Sequence, residues 1–159
     1  MRRLFYLLFA GLLVACSSID CPVNNIVAMQ YNICNADGSE WKLTDSLTVT
    51  TQRSDGSDTI LLNRGIDIST FSLPVSYSHP EDVLCFSLSN FGIKAVDTVW
   101  IQKEDIPHFE SVDCNVSFFH EIKDLRYTNN GIDSIVINNP SVTYDAETVN
   151  FRIYFKTFD

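Results

Sequence analysis

Apolar and polar residues alternate through most of this chain, and turn-forming residues break the alternation about every ten positions, the rhythm of an all-β sandwich or barrel. The pattern is cleanest near the C-terminus, in a predicted strand over Thr148 to Phe158. There Val149, Phe151, Ile153 and Phe155 share one face, and Asn150, Arg152, Tyr154 and Lys156 share the other. A strand half in and half out of a core needs that division. Upstream, Ile26 to Ile33 reads as a first strand, closed by Asn35-Ala36-Asp37-Gly38. Ser46 to Gln52 puts Leu47 and Val49 on one face, and Asp55-Gly56 turns it into Thr59 to Leu62 as a hairpin. The segment from Ile66 to Val75 reads as an irregular edge, because Pro74 has no N–H for a central ladder. Val83 to Ser89 and Ala95 to Gln102 flank a turn at Asn90 to Gly92, and Trp100, in phase with Val96 and Thr98, is expected in the core. Ser111 to Phe119 reads as a strand carrying Cys114, and Phe118 to Tyr127 as a helical turn or a bent strand. Asn129-Asn130-Gly131 is a turn into Ile132 to Ile137. The expected fold is an antiparallel β-sandwich, immunoglobulin-like or related, with a small β-barrel as the alternative. It occupies residues 26–159 as a single domain.

The first residues are of another kind. Arg2 and Arg3 precede an apolar run from Leu4 to Val14, too short to cross a bilayer, and Leu13-Val14-Ala15-Cys16 closes it. A cleaved signal peptide over residues 1–15 has this anatomy, and a small residue before a cysteine is similar to a bacterial lipobox. Cys16 is then the lipidated first residue of the mature chain, and residues 16–25 form a polar tether. Such a chain is held on the outer membrane through lipid. The tether lacks the dense acidic run that follows the lipidated cysteine in surface-exported lipoproteins, which favours the periplasmic side. Cleavage removes Arg2 and Arg3, two of the 11 basic residues, and shifts the net charge from -9 to -11. A surface of that sign, without a Lys/Arg cluster, excludes nucleic acid as a partner.

Four cysteines remain after Cys16: Cys21, Cys34, Cys85 and Cys114. An even number in an exported chain points to two disulfides with three connectivities, and no pair has the spacing of a zinc site or a Cys-x-x-Cys redox motif. His79 and His108 each adjoin a proline, and His120 follows two phenylalanines on a strand, beside Glu121. No Gly-x-Ser-x-Gly elbow is present. The loops at Gly38 and Gly56 fail as calcium loops, because Ile33 and Arg53 stand where oxygen ligands are needed. The chain is therefore expected to be non-catalytic, without cofactor or metal. Trp41, just past a turn, is the better candidate for an exposed aromatic. Asp45-Ser46-Leu47, Asp58-Thr59-Ile60, Asp97-Thr98-Val99 and Asp133-Ser134-Ile135 have two readings. They are similar to the Asp-Ser/Thr-aliphatic acceptors of bacterial O-glycosylation, at Ser46, Thr59, Thr98 and Ser134, or they are strand starts.

The lipobox, Asp20-Cys21, Ser72-Leu73-Pro74, Phe109-Glu110-Ser111-Val112-Asp113-Cys114, Ile132 to Ile137 and Asn150 to Phe155 together resemble a family of Bacteroidota lipoproteins of unknown function. The resemblance covers nearly the whole mature chain and departs at Asn115, where a glycine commonly follows the late cysteine. It implies a Cys21–Cys114 bridge, which leaves Cys34–Cys85 as the second. It attaches no activity, cofactor or substrate. It suggests an outer-membrane barrel as partner. Independently of the resemblance, a lipid-anchored sandwich without catalytic motifs is expected to be a binding or assembly module, with a surface glycan-binding or adhesive role as the alternative. The segment around Pro74 and the loop from Asp124 to Gly131 are the expected contact regions.

Overall fold

The computed structural model describes Cys21 and residues 27–53, 55–90 and 92–157. The expected signal peptide and Cys16 lie outside the described residues. Period-two alternation becomes ten strands: β1 (Ala28–Ile33), β2 (Ser46–Gln52), β3 (Asp58–Gly65), β4 (Thr70–Pro74), β5 (Glu81–Asn90), β6 (Ile93–His108), β7 (Ser117–Tyr127), β8 (Ile132–Ile137), β9 (Ser141–Val142) and β10 (Phe151–Phe155). They form a four-stranded sheet, order β4-β1-β10-β8, and a six-stranded sheet, order β3-β2-β5-β6-β7-β9. Two open sheets over one shared core make a sandwich, not a barrel. All pairings are antiparallel except that of β1 with β10, where Tyr31 faces Phe151. β4 is an edge strand, where Pro74 leaves no ladder bond unmade.

The inner faces follow the alternation. Met29, Tyr31, Ile33, Phe71, Leu73, Phe151 and Ile153 come from one sheet, and Leu47, Val49, Leu84, Phe86, Leu88, Val99 and Ile101 from the other. Tyr31 stacks on Phe71 and Phe151 with ring centroids 4.7 and 4.9 Å apart. Phe86 reaches Tyr31 across the core at 6.2 Å. Such pairs add roughly 0.5–1.5 kcal/mol each beyond their burial, so this cluster locks the two sheets in register. Gly56 adopts φ +82 in the β2–β3 hairpin, a backbone region that side chains rarely take. The Asp55 carboxylate accepts from the Ser57 amide and hydroxyl at 2.9 and 2.6 Å. The same arrangement recurs at Asp37 and Ser39.

Four expectations fail. Trp100 is not in the core: Asp97, Val99 and Ile101 take the inner face of β6, and the Arg126 guanidinium lies over the Trp100 ring at 5.4 Å on the outside. The expected strand over Ser111 to Phe119 is a turn as far as Val116, because the Cys114 amide donates back to the Ser111 carbonyl at 3.2 Å. β7 begins at Ser117 and runs unbroken to Tyr127, so the helical alternative for Phe118 to Tyr127 also falls. Finally, Cys34 and Cys85 are free thiols. Leu84, Phe86 and Leu88 point inward on β5, so Cys85 faces away from the sheet that carries Cys34.

Candidate functional site

The β6–β7 hairpin outgrows the sandwich. β5 accompanies β6 only to Gln102, whereas β6 and β7 stay paired to His108 and Ser117. At about 3.3 Å per residue the extra length is roughly 20 Å. This arm projects from the end of the molecule that also holds the start of β1, the β2–β3 turn and the loop before β5.

The base of the arm is locked by buried charge. Lys103 continues the inner face of Val99 and Ile101, and its side chain is wholly buried. Its ammonium donates to the His79 carbonyl at 2.7 Å and to Asp105 Oδ1 at 2.9 Å. His120 Nδ1 lies 2.6 Å from the same oxygen, and since a carboxylate only accepts, the nitrogen carries the proton. Burial pushes the Asp105 carboxyl up, but the hydrogen bonds of Lys103 and His120 and the charge of Lys103 outweigh it and hold the group below the ordinary range. Burial lowers His120 further than its bond to Asp105 raises it, so the ring is neutral at neutral pH. Asp82, buried on β5, is pushed up chiefly by burial, which the charge of Lys103 and the Ser76 amide offset only in part. A histidine held by a carboxylate has the form of a general-base pair, but such a base must reach its proton. His120 is 2% exposed, and its one hydrogen-bond partner among the described residues is Asp105. The bonds join β6, β7 and the loop before β5, and what they do is brace the arm.

The tip of the arm, Phe109 to Val116, is covalently held. Cys114 is bridged to Cys21, with Cα atoms 5.5 Å apart. Around the tip the surface is apolar: Ile106, Phe109, Val112, Val116 and Tyr77 are all exposed, Val112 to 98%. Tyr77 stacks on Phe118 on one face, and His108, Phe119 and Tyr144 cluster on the other. Glu110 is paired with His108 at 3.0 Å.

The opposite end is built around Asp97. Its carboxylate accepts from the Thr128 hydroxyl at 2.7 Å and from the amides of Asn130, Gly131 and Ile132 at 2.6, 2.7 and 2.8 Å. Burial raises this acid, and the four bonds more than reverse it, leaving it below the ordinary carboxylate range. Only glycine fits at 131, since a Cβ there would meet Ala95 Cβ at 2.8 Å. A cleft of about 590 Å³ at this end is lined by Cys34, Trp41, Asp133, Tyr154 and Lys156.

Ser46, Thr59, Thr98 and Ser134 all stand in strand ladders, and the Thr59 hydroxyl is buried without a partner among the described residues. Asp97 and Asp45 of those patterns serve the fold, Asp45 by accepting from the Asn90 side chain at 2.7 Å. Pro74 and the Asp124 to Gly131 segment are not brought together. Pro74 pairs with the first residue of β1, while the Gly131 carbonyl accepts from Lys156 just past the end of β10, parallel to β1. Sequence reasoning missed Asp82, Lys103 and Asp105. The available signal was that Lys103 and Asp105 share the parity of Val99 and Ile101.

The pattern of a family of unknown function, DUF6452, matches residues 46–155. The chain belongs to that family. The DUF6452 match starts with the first residue of β2 and ends with the last of β10, so it takes in the arm, its ionic brace and Cys114 but not Cys21. No curated protein and no solved structure matches this DUF6452 chain.

Proposed function

We propose that this protein is a non-catalytic envelope lipoprotein, held at the outer membrane through lipid on Cys16, whose sandwich is a binding or assembly module for an outer-membrane protein. The observation that carries the reading is the position of the bridge. Cys21 lies five residues beyond Cys16 and is disulfide-bonded to the tip of the arm. Five residues span at most about 17 Å, at roughly 3.3–3.6 Å each. A lipid on Cys16 would therefore hold the arm down and turn the Asp97 end outward. The burial of His120 and Lys103 favours a structural over a catalytic role for the charged cluster.

A surface glycan-binding role is a second reading, favoured by Trp41 and Tyr154 in the outward cleft. Metabolic labelling with palmitate, comparing the wild type with Cys16→Ala, tests the anchor, and label on both forms or on neither would refute it. Crosslinking in native membranes should recover one stoichiometric partner, and recovering none would refute the assembly role. Protease treatment of intact cells separates the two readings, since a protected chain is no adhesin.

A further inference from the structure

We infer that the tip of the β6–β7 arm is a lipid-contacting surface, seated in the headgroup–acyl boundary of the membrane that holds Cys16. The inference rests on the proposed lipid anchor and adds to it a second, non-covalent contact made by the folded body. Exposed apolar residues are ordinary when scattered, but here they are gathered at one extremity. Phe109, Val112 and Val116 crown the turn, Ile106 flanks it on one side, and Tyr77 stands on the other, stacked on Phe118. Tyrosine beside apolar tips suits a boundary that is apolar on one side and wet on the other.

The tether argues for lipid as the occupant. Cys114 lies 5.5 Å (Cα to Cα) from Cys21, which is five residues from Cys16, and Val112 is two residues further on, so the whole path from Cys16 to Val112 is at most about 30 Å. A surface so confined meets the bilayer before any soluble partner. Charge points to the same driving force. Between Phe109 and Val116 stand Glu110 and Asp113 and no Lys or Arg, so attraction to anionic lipid is not what seats the tip. Glu110 is occupied by His108, and Asp113 is left for the headgroup layer. Contact of this kind is apolar, indifferent to salt, and needs no acidic lipid.

The test places a tryptophan at the most exposed position, Val112→Trp, in the full lipidated chain, reconstituted into phosphatidylcholine vesicles with or without brominated acyl chains. Palmitate incorporation is measured on the same preparation. The added emission should be quenched by the bromines, as for a side chain seated about 5–10 Å into the headgroup–acyl boundary. It should fall equally at low and high salt, and the wild-type tryptophans, Trp41 and Trp100, should be unaffected. Palmitate present with no quenching overturns the lipid contact and leaves the anchor standing, and the tip then belongs to a protein partner. Palmitate absent removes the anchor itself. Val116→Trp, read in the same way, guards against a local disturbance at Val112.

Discussion

Replacing Asp97 with alanine removes one side chain and strands four donors. Two of them, the amides of Gly131 and Ile132, are buried where water does not replace the carboxylate, while the Thr128 hydroxyl and the Asn130 amide lie nearer solvent. Each buried amide left without an acceptor costs roughly 1–3 kcal/mol, so the pair costs about 4 kcal/mol. In a domain of this size that lowers the melting temperature by roughly 15 °C. Differential scanning calorimetry of Asp97→Ala against the wild type reads it directly. Asp133→Ala is the control: the same Asp-Ser/Thr-aliphatic pattern, but an exposed carboxylate, with an expected change within about 0.5 kcal/mol. The pH dependence has a definite sign. The native carboxyl lies below its unfolded value, so its contribution is complete above about pH 3.9 and is lost as pH falls through the lower native value. The gap between wild type and Asp97→Ala should thus be full at neutral pH and narrow only in strong acid. A melting point for Asp97→Ala within a few degrees of the wild type would refute the reasoning.

Cys114→Ser opens a bridge across a sequence separation of 93 residues, and the expected loss is about 2–4 kcal/mol, read as a lower urea midpoint. An unchanged midpoint in the variant and in reduced wild type would contradict it. Asp82→Asn should raise the melting temperature at neutral pH, because the native carboxyl is pushed above its ordinary value and its ionised form is the disfavoured one. With the native value raised, the wild type loses that stability as pH rises through it, so the advantage of Asp82→Asn should vanish below the unfolded value, and a destabilised variant would count against the burial argument. Maleimide under native conditions should label Cys85 and leave Cys34 untouched, and both should react after unfolding without reduction. A chain with no free thiol would overturn the assignment.

The strand rhythm carried most of the fold. Ser46 to Gln52 and Ile132 to Ile137 begin and end where alternation says, because each is half-buried and bounded by turn residues. Trp100 misled because both faces of β6 carry apolar residues, and a tryptophan outweighs an aspartate in any composition-based choice of face. The inner face belongs to Asp97, whose charge is satisfied by amides of the β7–β8 turn, 33 to 35 residues further along the chain, which local pattern does not show. Lys103 was missed because the predicted strand stopped at Gln102. A lysine at the end of an apolar run reads as a solvated terminus, yet its partners, Asp105 and the His79 carbonyl, let the strand continue inward. The parallel pairing of β1 with β10 joins the two ends of the domain and leaves no local trace. Cys34–Cys85 failed because pairing by subtraction assumes that every exported cysteine is oxidised, whereas strand parity alone puts Cys85 on the outside with Thr98 and Thr50 as its neighbours. The arm's apolar tip was visible as Phe109, Val112 and Val116, but alternation there looked like a buried strand.

In the proposed arrangement, lipid on Cys16 and the Cys21–Cys114 bridge together hold the arm against a membrane. Intact-mass spectrometry of the protein extracted from the membranes of producing cells tests it most directly. The expected species begins at Cys16, carries a diacylglyceryl thioether there, and contains one disulfide and two free thiols. A species that begins at Met1, or that has an unmodified Cys16, would contradict it.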